Sequence, residues 1–81
     1  MNKIQWHKLP LAVENHLLER AIERQISLDD LKRLDRWKQS DPEAPDGEWC
    51  KDFGSFKLCG EGALPKTFLM RGQAARGKRI G

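Results

Sequence analysis

The chain has 81 residues, a formal net charge of +3, 38% hydrophobic side chains and 33% charged ones. That length makes one domain with a thin core, burying only about 60–65% of its unfolded surface, and the regular patterning of the apolar residues argues against full disorder. No run approaches the roughly 18 apolar residues of a membrane span, and Met1 to Pro10 lacks the apolar core of a signal peptide, so the expectation is a soluble cytoplasmic protein with no membrane partner.

Lys3 to Lys8 alternates, with Ile4 and Trp6 on one side and Lys3, Gln5 and His7 on the other. A period of two predicts a half-buried strand. Leu11 to Gln25 carries Val13, Leu17 and Ala21 at helical spacing, with Leu11, Leu18 and Ile22 widening the apolar stripe. Ser27 is a good N-cap and Asp30 stands three residues on, so a second helix is predicted from about Leu28 to Gln39, buried through Leu28, Leu31, Leu34 and Trp37. The short connection makes the two helices an antiparallel or steeply crossed pair.

Ser40 to Gly47 holds two prolines, a glycine and three acids, and reads as a loop. Glu48 to Gly60 reads as a hairpin around Gly54-Ser55, a two-residue turn with glycine at its first central position. That register sets Phe53 against Phe56, Asp52 against Lys57, Lys51 against Leu58 and Cys50 against Cys59, with Trp49, Phe53, Phe56 and Leu58 on one face. Thr67 to Met70 is a short apolar strand, and one more short pairing is available near Lys78-Arg79-Ile80. Two helices over a small antiparallel sheet give an α+β fold. Residues 1–71 form the domain and 72–81 a basic, flexible C-terminal arm.

Cys50 and Cys59 face each other at a non-hydrogen-bonded position, where a disulfide is geometrically allowed; a cytoplasmic setting favours packed thiols. With His7 and His16 they show no zinc-ligand spacing, and no cofactor or metal is implied. Asp52-Phe53-Gly54 and Gly72…Gly77-Lys78 lack the surroundings of a kinase or P-loop motif.

Charge is distributed unevenly. Residues 66–81 carry five cations and no acid, whereas residues 41–48 carry four acids and no base. A basic end selects polyanionic partners such as RNA, DNA or an acidic protein. Without interleaved aromatics it lacks a stacking platform for single strands, and a purely solubilising tail is the alternative. The acidic loop is either solvated, a counter-charge for the basic end, or a mimic of nucleic acid.

The order strand, helix, helix, hairpin, strand resembles the RelE/ParE superfamily of small bacterial toxins, with Lys3–Lys8 as the opening strand and Trp49–Gly60 as the central hairpin. The resemblance implies an effector acting on RNA or the ribosome and other translation machinery, neutralised by a partner antitoxin. RNA-cutting members use a basic cluster, often with a tyrosine or histidine, near the C-terminal strand. This chain has no tyrosine, and its histidines are His7 and His16. What carries over is the basic cluster: Lys57, Lys66, Arg71, Arg76, Lys78 and Arg79. Whether a bond is cut is left open. The lack of an acid–base constellation suits a second expectation, a non-catalytic inhibitor from a phage or other mobile element, such as an anti-defence protein, that occludes a protein or nucleic-acid surface.

Overall fold

The computed structural model describes residues 2–80; positions 1 and 81, the outer ends of the expected domain and arm, lie outside the described residues. Along the chain run β1 (Asn2–Lys3), a 3₁₀ turn (Trp6–Lys8), α1 (Leu11–Ile22), α2 (Leu28–Gln39), β2 (Glu43–Ala44), β3 (Glu48–Asp52), β4 (Phe56–Glu61), β5 (Leu64–Met70) and β6 (Lys78–Ile80). The α+β class and the strand–helix–helix–hairpin–strand order are those the sequence predicts. The main sheet has four strands in the order β5-β4-β3-β6, and β1 pairs with β2 in a separate two-stranded ladder.

The hairpin turn sets the register of the main sheet. Gly54 takes φ +105°, which an L side chain rarely adopts, and the Phe53 N–H donates to the Phe56 carbonyl at 2.9 Å. From there Asp52 lies opposite Lys57, Lys51 opposite Leu58, Cys50 opposite Cys59 and Trp49 opposite Gly60. Alternation then sends Trp49, Phe53, Phe56 and Leu58 into the core, each at most 3% exposed. Leu17 of α1 and Leu34 of α2 meet them there, with Trp6, Trp37 and Phe68 packed at the margin. Trp37 stands edge-on to Trp6, Trp49 and Phe53 at ring separations of 5.5, 6.1 and 5.8 Å, the arrangement that aromatic quadrupoles favour.

The α2 cap is also a tertiary clamp. Ser27 Oγ accepts from the Asp30 N–H at 3.1 Å, as an N-cap should. The Asp30 carboxylate crosses to the hairpin turn, where its Oδ2 accepts from the Ser55 N–H at 2.9 Å and the Ser55 hydroxyl at 2.7 Å. Ser55 Oγ in turn accepts from the Ser27 N–H at 3.1 Å. Burial pushes the Asp30 carboxyl up, but hydrogen bonds from Ser55 and Ser27 and the nearby Arg33 charge outweigh it and hold the group below the ordinary carboxylate range. A pKa lowered by folding gives stability that is present above the unfolded pKa and lost as pH falls through the folded one. Urea unfolding from about pH 6 down to about pH 2 should therefore show the wild type losing more stability than Asp30→Asn, mostly below about pH 4. Equal acid sensitivity of the two would contradict the clamp.

Three expectations are corrected. Lys3–Lys8 is not a continuous strand. Only Asn2–Lys3 pairs, with Glu43 and Ala44 of the segment read as a loop. Ile4 and Gln5 donate to the Pro42 and Ala63 carbonyls, after which the chain turns in 3₁₀ geometry. The reason is competition for an edge: the free side of β3 is taken by β6, so the N-terminal segment finds other acceptors. Helix α1 ends at Ile22 rather than Gln25, because Arg24 adopts φ +63° and the Gln25 and Ile26 N–H groups both close on the Arg20 carbonyl. That cap buries Ile26, at 1% exposure. The apolar stripe of α1 is also wider than the surface it meets. Leu17 is buried, but Leu11, Leu18 and Ile22 are 69%, 58% and 82% exposed, and Leu28 at the start of α2 is 66% exposed.

Candidate polyanion-binding face

Strands β5 and β6 occupy opposite edges of the main sheet. β6 is parallel to β3, with Lys78, Arg79 and Ile80 in register with Trp49, Cys50 and Lys51. The chain leaving Met70 must therefore cross two strands before it can enter β6. The helices fill one face, and residues 71–77 cross the other. A small turn starts this crossover, with Gln73 Oε1 accepting from the Met70 N–H at 2.6 Å and the Gln73 N–H donating to the Met70 carbonyl at 3.1 Å. It ends at Gly77, with φ +85°, where a Cβ would lie 2.5 Å from the Glu48 carbonyl carbon and oxygen. Only glycine allows the backbones to approach so closely.

The outer face of the sheet carries the residues that alternate with the core: Glu48, Cys50 and Asp52 on β3, Lys57, Cys59 and Glu61 on β4, Thr67 and Leu69 on β5, and Arg79 on β6. A register shift between Cys59 and Gly60 leaves Lys66 as an extra residue on β5, a bulge that re-aims its side chain. The crossover divides this face into two clefts. One, of about 330 Å³, is lined by Glu48, Cys50, Cys59, Glu61, Lys66 and Arg76 among others. The other, of about 230 Å³, is lined by Asp52, Lys57 and Arg79 together with Cys50, Ala75 and Gly77.

Four of the six predicted cations are thus brought together: Lys57, Lys66, Arg76 and Arg79. Two are placed elsewhere. Arg71 lies by the hairpin turn, lining a separate cleft with Arg24, Ser27 and Ser55. Lys78 is in register with Trp49, so it belongs to the opposite side of the sheet. Two of the six are ion-paired within the protein, Lys66 with Glu61 at 3.4 Å and Arg79 with Asp52 at 3.0 Å. Both cations are exposed, although Asp52 is half-buried, and pairs of this kind are worth about 1 kcal/mol or less, so a phosphate can compete for either cation. Lys57, Arg71, Arg76 and Lys78 have no ion-pair partner among the described residues.

Of the acids in residues 41–48, Glu48 lines the larger cleft with Lys66 and Arg76, whereas two others are held at β1. Asp41 pairs with Lys3 and Asp46 accepts from Asn2 at 2.6 Å, which fastens the loop to β1.

His7 and His16 are exposed on the 3₁₀ turn and α1, and neither lines a cleft on the outer face. The titratable thiol of Cys59 is pushed up to about 12 by burial and by the Cys50 thiol beside it, so it is a protonated thiol near neutral pH. Among the described residues no group of three or more His, Cys, Asp or Glu side chains is placed to hold a metal ion, and no helix is long and apolar enough to cross a membrane.

The sequence reading missed Arg24, whose positive φ places it beside Arg71, and the cavity that encloses both cysteines. Neither has a local signal, since each depends on where the crossover and the α1 cap settle in three dimensions. No protein-family description, no characterised protein and no solved structure matches the chain.

Proposed function

We propose that this protein is a small toxin-like effector that acts on RNA or the translation machinery through the outer face of its sheet. The observation that carries this reading is the convergence of Lys57, Lys66, Arg76 and Arg79, drawn from β4, β5, the crossover and β6, on the face opposite the helices. Cations spaced over a face without aromatic platforms suit the phosphate backbone more than the bases. The α+β layering accords with the resemblance to RelE/ParE toxins. The uncovered Leu11, Leu18 and Ile22 on α1 are a second surface, of the kind a neutralising protein partner buries.

A second reading is favoured by one observation: neither His7 nor His16 lines the clefts. On that reading the protein is a non-catalytic inhibitor, carried by a phage or another mobile element, that blocks a protein surface.

Inducible expression in a bacterial host, followed by recovery of the tagged protein from lysate, separates the two. The effector reading predicts growth arrest that Lys57→Glu combined with Arg76→Glu relieves, and co-purifying RNA or ribosomes that nuclease removes. Unaffected growth contradicts it. A stoichiometric protein partner that survives nuclease supports the inhibitor.

A further inference from the structure

Cys50 and Cys59 are directly opposed on adjacent antiparallel strands. The Phe53–Phe56 pair is hydrogen-bonded, so counting back three residues along β3 makes Cys50–Cys59 a non-hydrogen-bonded pair. Such pairs bring the Cα atoms to about 4.5 Å, inside the range a disulfide spans. Both side chains point to the outer face, both line the 330 Å³ cavity under the crossover, and both are free thiols. Cys50 has a second role. Its Sγ–H donates to the Arg76 carbonyl at 3.1 Å, and together with the fit of Gly77 on Glu48 and the three-residue β6 ladder this holds the crossover down.

We infer that Cys50 and Cys59 form a reversible dithiol–disulfide pair whose oxidation loosens the crossover that lies over them. The oxidant is a low-molecular-weight disulfide. The thiolate of the more accessible Cys59 attacks it, forming a mixed disulfide and expelling one small thiolate. The Cys50 thiolate then attacks Cys59 Sγ, forming the intramolecular bond and expelling the second. The two protons released by the protein thiols are taken up by the two leaving thiolates, so two protein thiols and one small disulfide become one protein disulfide and two small thiols. The product has no S–H, and the Arg76 carbonyl loses its donor. The raised pKa of Cys59 makes the reaction slow near neutral pH and faster as pH rises. Arg76, Lys78 and Arg79 all belong to the loosened segment, but the inference does not depend on the proposed function, because chain opening is read directly.

The test uses the full chain, incubated with oxidised or reduced glutathione and then given a brief exposure to trypsin, with cleavage after Arg76 followed by mass spectrometry. Oxidised glutathione is expected to remove both thiols as one intramolecular disulfide and to speed that cleavage about two- to fivefold, the effect of losing one weak S–H···O bond on a segment that opens faster than it is cut. Cys50→Ser keeps an O–H donor and cannot form the disulfide, so its cleavage should stay slow in both conditions. Cys50→Ala has no donor and should be cut fast in both. Cys59→Ser retains the Cys50 donor and serves as an independent slow, redox-insensitive variant. Persistence of two free thiols, a stable mixed disulfide, or an oxidised protein cut at the reduced protein's rate would each overturn the inference.

Discussion

Trp49→Ala is expected to remove a large part of the protein's stability. Trp49 is fully buried, its ring is in edge contact with Trp37, and its indole N–H donates to the Gly62 carbonyl at 2.9 Å. Removing a buried tryptophan costs about 3–5 kcal/mol, and a chain this size has roughly 4–12 kcal/mol in total. The expected fall in Tm is on the order of 20 °C. The same contact explains Gly60, which faces Trp49 across the hairpin. A Cβ there would meet the Leu64 carbonyl oxygen and lie 2.6 Å from Trp49 Cζ2. Gly60→Ala should therefore cost about 1–3 kcal/mol through overpacking. Leu18→Ala is the control. Its neighbour Leu17 is buried but Leu18 is 58% exposed, so the change should stay within about 0.5 kcal/mol. Thermal unfolding of the three variants checks all of this, and a Leu18→Ala loss comparable to that of Trp49→Ala would place α1 in the wrong rotation.

The second large effect is on binding. Replacing Lys57, Lys66 and Arg76 together by glutamine should weaken binding to single-stranded RNA on the order of a hundredfold at low salt and reduce the slope of log affinity against log salt by about 2, since each phosphate contact on a single strand contributes about 0.7. Stability should change little, because Lys66 and Arg76 are exposed and Lys57 is half-buried. Arg71→Gln and Lys78→Gln, which lie away from the convergent four, should have a smaller effect than any single change within it. Filter binding across a salt series measures this, and equal losses from both groups would show that charge acts collectively and not through the outer face.

Local features of the sequence that determine local structure were legible. A glycine at the first turn position, with apolar residues alternating outward from it, fixes the β3–β4 register residue by residue. Ser27 with Asp30 marks the start of α2, and the helix runs over Leu28–Gln39 as predicted. Features that depend on a distant partner were not legible. Alternation in Lys3–Lys8 describes two faces but supplies no neighbour to pair with, and the segment mostly turns instead. Leu11, Leu18 and Ile22 fit a helical stripe, yet the sheet and α2 cover only the arc centred on Leu17. Pairing near Lys78–Ile80 was anticipated, but its parallel sense was not, because a parallel partner leaves no turn signature in the sequence. For the candidate site, the residue types came from the charge pattern, whereas the selection of Lys57, Lys66, Arg76 and Arg79 as one group came from the crossover. Separating Lys78 from Arg79 required only the strand period, once β6 was known.

Titration of a fluorescent, unstructured RNA oligonucleotide with the wild-type protein across about 50 to 200 mM salt is the most direct measurement. Four phosphate contacts predict a straight line of slope about −3 on logarithmic axes, with a shallower line when Lys57, Lys66 and Arg76 are replaced. No binding at the lowest salt, or a slope the triple replacement leaves unchanged, would contradict a polyanion site on the outer face of the sheet.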